Sequence, residues 1–450
     1  MSRIAPNQMT DDLLRPLLHT TWKFYAGVAV LGSIVLAGLG AWFYQVYMGL
    51  GITGDNWPVF WGFHETNFVF WIGISHAGTL ISAILRMVDA TWRRPVTRCA
   101  EAITAFALMI GALFPLIHLG RPWLAWWLIP YPSERMIWPN FRSPLAWDFF
   151  AINTYLTSSL LFLFLPMLPD LAVVRDKTTG LRSKIYGLLS LGWQGTPKQW
   201  HRLEMAMHIM AIAIIPIAVS VHTIVSFDFS MAVVPMWHST IFGPYFVAGA
   251  IFSGIAALII AMALLRKILH LEAYLEPIHF NNLGKLLFTM SLLWGYFVFN
   301  ERLTTWYGNE THEMAAFWIT QTGRYAPLFW TMVFCNFILP FPFLAIRKLR
   351  TITGCVIASC GVVVGMWLER FLIIVPSLST KPITYSWGRY MPQWPEITIM
   401  IGSIAAMVLL YVLFSKFVPL ISMWEMKVGE HPEVKEAASV AAAQEAGELL

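Results

Sequence analysis

The sequence predicts an all-α integral membrane protein with about ten transmembrane helices. Of its 450 residues, 57% are hydrophobic and 12% are charged, whereas soluble domains carry about 25% charged residues. The apolar residues form runs of roughly 20, the length a helix needs to cross a bilayer. Lys and Arg are concentrated in alternate loops between these runs. The net charge of +5 therefore reflects membrane topology and does not indicate nucleic-acid binding.

Ten apolar windows define the predicted spans. They cover residues 23–48, 66–88, 99–118, 146–168, 203–225, 242–266, 284–301, 325–346, 351–375 and 397–422. The first window is too long for the apolar core of a signal peptide, so we expect it to remain as the first transmembrane helix.

The loops after spans 2, 4, 6 and 8 are basic, and Arg93, Arg94 and Arg98 follow span 2. The positive-inside rule then places both termini in the cytoplasm. Segments 1–22 and 423–450 are predicted to lie on that side, and the tail is expected to be loosely ordered from Lys427.

Spans 4 and 8 begin alike, which indicates an internal repeat. Ser143-Pro-Leu-Ala-Trp-Asp148 has its counterpart in Ala326-Pro-Leu-Phe-Trp-Thr331, and Asn153 and Asn336 follow at equal spacing. An offset of four spans keeps the direction of the chain. We therefore expect two parallel-repeat four-helix bundles, spans 2–5 (59–230) and spans 6–9 (242–378), flanked by spans 1 and 10.

Ionisable side chains inside these spans, or at their ends, are the best indication of function. They are His76, His118, Asp148, His222 and Asp228. An ionisable group in hydrocarbon costs roughly 2.5–3.5 kcal/mol, so it is retained mainly where it lines a cavity, a proton path or a ligand site.

The predicted directions of the spans bring His118, Asp148 and Asp228 to similar depth near the outer face, with His76 deeper. Carboxyl and imidazole groups in a crevice of low dielectric suit reversible proton transfer. A hydroquinone needs such acceptors for two hydroxyl protons as its electrons leave. We predict a catalytic role for these three residues. The structural alternative for Asp148 is capping of the N-terminus of span 4.

Further residues are predicted to bind quinol or to form a proton path: His76, Arg121, Glu204, His208 and His222. Arg121 follows His118 closely and is placed to hold Asp148 ionised or to orient a loop. His208 and His222 lie 14 residues apart on one face of span 5. The alternatives are helix-to-helix hydrogen bonds for His76 and His222.

No haem or metal is expected on this chain. Its four cysteines form no CxxC or CxxCH motif. A helix bundle that binds two haems needs a pair of histidines on each of two facing helices, and here only span 5 carries such a pair. Electrons from a quinol would therefore have to pass to a partner.

The loop after span 3 is rich in Trp, including Trp123, Trp126, Trp127 and Trp138. These residues predict an interfacial aromatic belt or a docking platform for a partner outside the membrane. Adjacent charges occur at Glu301-Arg302 and Glu369-Arg370 in bundle 2. Because neighbouring residues do not face each other on a helix, we expect each of these side chains to pair with another helix.

Three runs resemble the NrfD/PsrC-like membrane subunits of iron–sulfur and molybdopterin oxidoreductases. They are Trp71-Ile-Gly-Ile-Ser-His76-Ala-Gly-Thr, Pro115-Leu-Ile-His118-Leu-Gly-Arg121-Pro and Ser143-Pro-Leu-Ala-Trp-Asp148. With ten spans, the chain is most similar to the ActC-type subunits of bacterial alternative complex III.

The resemblance implies quinol binding near the outer face of bundle 1, with His118, Asp148 and Asp228 at the positions of the quinol ligands. It implies a quinol as substrate, with menaquinol favoured and ubiquinol as the alternative, and a place in the bacterial inner membrane. The implied partners are an extracytoplasmic iron–sulfur/molybdopterin-like subunit, multihaem cytochrome c subunits, other membrane subunits including a paralogue, and a terminal oxidase. Proton translocation is a further expectation. The alternatives are an ion-coupled secondary transporter and a passive membrane anchor.

Overall fold

The structure, a computed structural model, describes residues 5–128, 143–381 and 383–430. Within those residues, ten helical segments are long and apolar enough to cross a membrane. The predicted all-α membrane fold is therefore confirmed, and every observed span overlaps a predicted window.

The helices in chain order are α1 Pro6–Leu18, α2 Trp22–Met48, α3 Phe63–Met87, α4 Thr97–Gly111, α5 Phe114–His118, α6 Pro144–Phe164, α7 Leu168–Lys177, α8 Gly180–Leu189, α9 Pro197–Ser230, α10 Phe242–Ile268, α11 Pro277–Gly308, α12 Thr311–Gln321, α13 Ala326–Val333, α14 Pro340–Ala345, α15 Ile352–Ser379, α16 Trp394–Phe417 and α17 Met423–Glu430. A short π-helix, Phe334–Ile338, joins α13 to α14. Span 3 consists of α4 and α5, and span 8 of α13 and α14.

Local chemistry sets where the helices begin. Pro144 occupies the first turn of α6, where its missing N–H costs no hydrogen bond. The Thr196 side chain caps α9 by accepting a hydrogen bond from the Gln199 backbone at 3.4 Å. In α3, a Glu65 carboxylate oxygen accepts from the Gly62 backbone at 3.2 Å, as an acidic side chain in a first turn does.

The two predicted bundles have the same order of neighbours. In bundle 1, α3 packs on α4, α4 on α6, α6 on α9, and α9 back on α3. In bundle 2, α10 packs on α11, α11 on α14, α13 and α14 on α15, and α15 back on α10. This arrangement is consistent with a parallel repeat. The bundles meet where α10 lies against α3 and α9.

Spans 1 and 10 form a separate pair beside bundle 1. Helix α2 packs along α16, and α16 contacts α3 and α4. The two helices approach closely at Gly38 and Gly402, where a Cβ added to Gly38 would lie 3.0 Å from the Gly402 Cα. Small residues allow such close approach between membrane helices.

The segments that flank the spans form helices in their described parts. The N-terminal segment forms α1, which buries Leu13 and Leu14. After span 10, α17 is tied to bundle 1 because the buried Asp170 carboxylate accepts from the Met423 and Trp424 backbones at 3.1 and 3.3 Å. The tail was predicted to be loosely ordered from residue 427, but 427–430 are helical. Residues 431–450 lie outside the described part.

Candidate functional site

The site lies at one end of bundle 1, which we call the site end. It comprises the helix ends at Phe63, His118, Pro144 and Ser230. The first turn of α16 lies at the same end, since the Glu396 carboxylate accepts from the Gly54 backbone at 2.7 Å.

His118 contacts two carboxylates at the site end. Its Nδ1 lies 2.7 Å from Glu65 Oε1 and 3.9 Å from Asp55 Oδ2. Because the other Glu65 oxygen caps α3, this one carboxylate joins the start of α3 to the end of α5. The imidazole is thereby fixed in a negative environment.

Asp55 lies in the loop between α2 and α3 and is 8% exposed. Burial raises the pKa of its carboxyl to about 8, and the nearby carboxylates of Glu65 and Glu396 add to the rise while His118 opposes it. Neither carboxylate oxygen has a hydrogen-bond partner among the described residues. The group is therefore buried without the stabilisation that a carboxylate normally needs.

A second cluster at this end is formed by Asp148 and Asp228. A side-chain hydrogen bond joins the carboxyl groups across the α6–α9 interface, and Asp148 is 7% exposed. One oxygen of each residue has no further partner in the described part of the chain. A hydrogen bond between two carboxyl groups needs one proton between them, so this pair can take up and release a proton.

Deeper in bundle 1, the rings of His76 and His222 lie 4.4 Å apart between centroids. The ring nitrogens of His76 lie 2.8 Å from the carbonyl oxygens of Ile72 and Ala218, which fixes the ring between α3 and α9. Its other face packs on Tyr155 at 4.7 Å. His222 is fully buried, and neither of its nitrogens has a partner among the described residues.

Polar groups continue from His222 into bundle 2. The Arg370 guanidinium lies 4.5 Å from the Phe246 ring centroid, and Phe246 in turn packs on His222 at 6.0 Å. Arg370 pairs with Glu369 at 3.3 Å, and Glu369 also accepts from Tyr245 and Trp294. Glu369 and Arg370 thus contact other helices, as expected, but they also pair with each other, which was not expected. Glu301 and Arg302 also pair with each other, at 3.1 Å, because these long side chains can curl along the helix surface.

The opposite end of bundle 1 carries its own polar groups. The Ser82 hydroxyl donates to the buried Glu101 carboxylate at 2.5 Å. Beyond it, a cavity of about 200 Å³ is lined by Arg86, Asp89, Arg93, Arg94, Glu204, Met207, His208, Trp424, Glu425 and Val428. Glu204 and His208 are exposed there, away from the site end.

A larger cavity of about 570 Å³ opens between the bundles at the site end. Its lining is mainly aromatic and includes Phe63, Trp367, Phe371 and Tyr390. The rings of Trp367 and Phe371 stack at 5.9 Å. The cavity is large enough to receive a flat ring.

The structure thus brings Asp148 to Asp228 and His76 to His222, and it places His118 against Glu65 and Asp55. Arg121 is exposed in the turn after α5, and within the described residues it makes no ion pair with Asp148. Trp123 and Trp126 are half exposed or more. Trp138 and the side chain of Trp127 lie outside the described part.

Sequence reasoning missed Asp55, His64, Glu65 and Glu396. His64 and Glu65 directly precede the window that began at residue 66, so extending that window to the preceding turn would have included them. Asp55 and Glu396 belong to the same cluster only through tertiary contacts, and no local pattern joins them.

These features define a polytopic membrane protein with acid–base groups buried at one end of a four-helix bundle. Residues 51–382 match the family model described as "Polysulphide reductase, NrfD". The chain belongs to the NrfD family, as the resemblance predicted.

Three relatives match over nearly their whole length. A putative membrane subunit of dimethyl sulfoxide reductase from Halobacterium salinarum is 26% identical over 92% of this chain and 96% of the relative. A selenate reductase subunit from Mesobacillus selenatarsenatis is 25% identical over 87% and 93%. The integral membrane subunit of an Hdr-like menaquinol oxidoreductase from Archaeoglobus fulgidus is 22% identical over 89% and 94%. The chain is therefore related to membrane subunits of oxidoreductase complexes.

Proposed function

We propose that this chain oxidises quinol at the site end of bundle 1, as the membrane subunit of a respiratory electron-transfer complex. The observation that carries the proposal is the pair of carboxyl groups formed by the buried Asp148 and the partly buried Asp228, joined by a hydrogen bond. The family membership supports it, and the name of the A. fulgidus relative supports menaquinol as the substrate.

In this mechanism His118 accepts a hydrogen bond from one quinol hydroxyl, while the Asp148–Asp228 pair faces the other. Each quinol gives up two protons and two electrons and becomes quinone. His118 receives one of these protons and the aspartate pair the other, and both are released at the site end, because hydrogen-bonded acid–base groups accelerate such transfers. The two electrons pass one after the other to iron–sulfur clusters in a partner subunit docked at that end.

The proposed setting is an assembly similar to alternative complex III in a bacterial inner membrane. There the site end faces outward and both termini are cytoplasmic. The partners are an iron–sulfur/molybdopterin-like subunit, multihaem cytochrome c subunits and a paralogous membrane subunit, with a terminal oxidase as the final acceptor. The loop tryptophans Trp123 and Trp126 are placed to contact the outer partner.

Proton translocation through bundle 1 is part of the proposal. Buried polar groups at successive depths support it: the cavity with Glu204 and His208 at one end, then Glu101 and Ser82, then His76 and His222. These groups alternate with apolar packing, so a transferred proton would also need water between them.

The test is quinol-dependent reduction of the partner's iron–sulfur clusters, followed by electron paramagnetic resonance in the complex purified through this chain. Asp148→Asn and Asp228→Asn keep the shape of the pair but remove a titrating group, so each should lower the rate by roughly 100-fold. Glu313→Gln is the matched control, because Glu313 lies at the same end and pairs with the exposed His238.

Full turnover in both aspartate variants with an intact complex would contradict the acid–base role. A wild-type chain that purifies alone and gives no response to quinol would favour the transporter.

A further inference from the structure

Three buried side chains from distant parts of the sequence meet behind His118. They are Asp55 in the loop after α2, His64 in the first turn of α3 and Glu396 in the first turn of α16. One ligand atom from each lies within 4.8 Å of the others. Each residue is at least 92% buried. Imidazole nitrogen and carboxylate oxygen are common ligands of divalent transition metals.

The hydrogen bonds of Gln45 fix the tautomer of His64. The Gln45 amide nitrogen donates to the Ile117 carbonyl at 3.0 Å, so its amide oxygen faces His64 Nε2 at 3.1 Å. Since that oxygen can only accept, Nε2 carries the hydrogen and Nδ1 keeps its lone pair. Nδ1 has no partner among the described residues. A metal-binding histidine is typically held in this way, with its other ring nitrogen donating to an oxygen.

Asp55 supplies the second observation that points to a ligand. Both of its carboxylate oxygens are buried and lack a hydrogen bond in the described part of the chain. Its backbone is held in place, because the Asp55 N–H donates to Thr53 Oγ1 at 3.2 Å. The carboxylate is therefore positioned but not satisfied.

Glu396 is oriented by three donors. One carboxylate oxygen accepts from the backbones of Gly54 and Gln393, both at 2.7 Å. The other accepts from the Tyr390 hydroxyl and keeps a second lone pair. This arrangement holds Glu396 against the Asp55 loop.

The cluster also lacks a strong counter-charge. His118 lies 2.7 Å from Glu65 but 3.9 Å from Asp55, and among the described residues no Arg or Lys forms an ion pair with Asp55 or Glu396. Buried carboxylates are normally paired or bound to a metal.

We propose that Asp55, His64 and Glu396 bind one divalent transition-metal ion such as Zn²⁺ or Mn²⁺, with His64 coordinating through Nδ1. With bonds of about 2.0–2.2 Å, the ligand atoms of a tetrahedral site lie roughly 3.4 Å apart. The three atoms, which lie within 4.8 Å of one another, would therefore close in by up to about 1.4 Å when the cation binds. The cation tethers the α2–α3 loop and the start of α16 to α3, directly behind the His118 pair. This proposal does not depend on quinol oxidation.

The test is equilibrium dialysis of the full chain, treated with a chelator and kept in detergent micelles, against Zn²⁺. Bound zinc is measured by mass spectrometry, which distinguishes it from iron or molybdenum of partner subunits. We expect one Zn²⁺ per chain, with affinity lowered at least tenfold in Asp55→Asn and in His64→Gln. Gln45→Leu should lower it by 10- to 100-fold, as the loss of an orienting partner does.

Glu313→Gln is the control, since it removes a half-exposed His–Glu pair at the same end and should leave zinc binding unchanged. X-ray absorption at the zinc edge adds a measurement that needs no variant, and it should show one imidazole nitrogen among oxygen ligands. Absence of saturable binding, a zinc site without imidazole, or unchanged affinity in both folded ligand variants would each overturn the proposal.

Discussion

Arg98 and Asp170 form an ion pair in which both side chains are only 1% exposed. The guanidinium lies 2.6 Å from the carboxylate and also donates to the carbonyls of Pro419 and Pro166. Every charge is therefore compensated locally, and the pair connects α4 and α7 to the chain after α16.

Removal of one member would leave the other buried and uncompensated. We therefore expect Asp170→Ala to lower the free energy of unfolding by about 3–5 kcal/mol, measured by thermal denaturation in detergent. Asp176→Ala is the matched control, because Asp176 pairs with Arg175 but is 66% exposed. Asp176→Ala should lower the free energy of unfolding by less than about 1 kcal/mol. Equal losses in the two variants would show that the buried pair adds nothing.

Single residues also show how far the sequence could predict the site. Asp148 and Asp228 were found because a carboxylate inside an apolar window is conspicuous, and their contact follows from adjacent antiparallel helices. Glu65 was missed because its role depends on a capping position just before that window. Asp55 and Glu396 were missed because Gly54 and Glu396, which hold them together, lie 342 residues apart.

At the scale of helices, α3 is the most constrained span, with 89% of its apolar window buried. It packs on α4 so closely that a Cβ at Gly78 would lie 2.0 Å from the Ala100 carbonyl oxygen. That oxygen belongs to the backbone, so a larger side chain can fit only if the two helices separate.

Gly78→Ala should consequently destabilise the protein, by about 1–3 kcal/mol as overpacking does. Gly32→Ala provides the control because it also replaces a helical glycine, on α2, where nothing lies within 4 Å of the new Cβ. Thermal denaturation in detergent distinguishes the two variants. A Gly78→Ala protein as stable as Gly32→Ala would show that α3 and α4 are not packed this tightly.

Ion pairs hold α17 against the end of α3 and the loop that follows it. Glu425 contacts Arg86 at 2.8 Å and Arg93 at 2.9 Å. Burial alone would raise the pKa of the Glu425 carboxyl, but the two guanidinium groups hold it below its usual value. A carboxyl whose pKa is lowered on folding stabilises the folded state above its unfolded pKa, and that stabilisation is lost as the pH falls through the folded pKa.

Glu425→Gln should therefore release α17 at neutral pH. In the wild type, strong acid should have the same effect because it protonates Glu425. Limited proteolysis after residue 422 would detect the release as faster cleavage. Lys427→Gln is the control on the same helix, because Lys427 forms no ion pair within the described residues. Equal cleavage rates of wild type and Glu425→Gln would mean that other contacts hold α17.

At the scale of the whole molecule, the number of spans was predictable because each needs its own apolar window. The order of helices around each bundle was not, since it depends on side-chain packing between distant segments. The repeat, visible only in a few Pro, Trp and Asn positions, predicted that the two bundles would be alike, and their equal order of neighbours is consistent with it. The pairing of α2 with α16 had no such signal, because it depends on the fit at Gly38 and Gly402.

The orientation in the membrane remains a prediction of the positive-inside rule. Under the proposed function, it decides on which side the quinol protons are released. Introduced cysteines report the orientation directly in a Cys360→Ala background, because Cys360 is the exposed native thiol among the described residues, whereas Cys99 and Cys355 are buried and Cys335 is partly buried. Glu310, just before α12 at the site end, is exposed. Asp11 on α1 has a side chain that is 70% exposed.

In intact cells, a membrane-impermeant maleimide should label Glu310→Cys and leave Asp11→Cys unlabelled until the cells are lysed. Loss of the Asp11–Lys177 pair costs little at so exposed a position, so both variants should accumulate normally. Labelling of Asp11→Cys alone in intact cells would show that the orientation is the opposite of the predicted one. The Asp148–Asp228 pair would then release its proton into the cytoplasm, and the iron–sulfur partner would have to dock on that side.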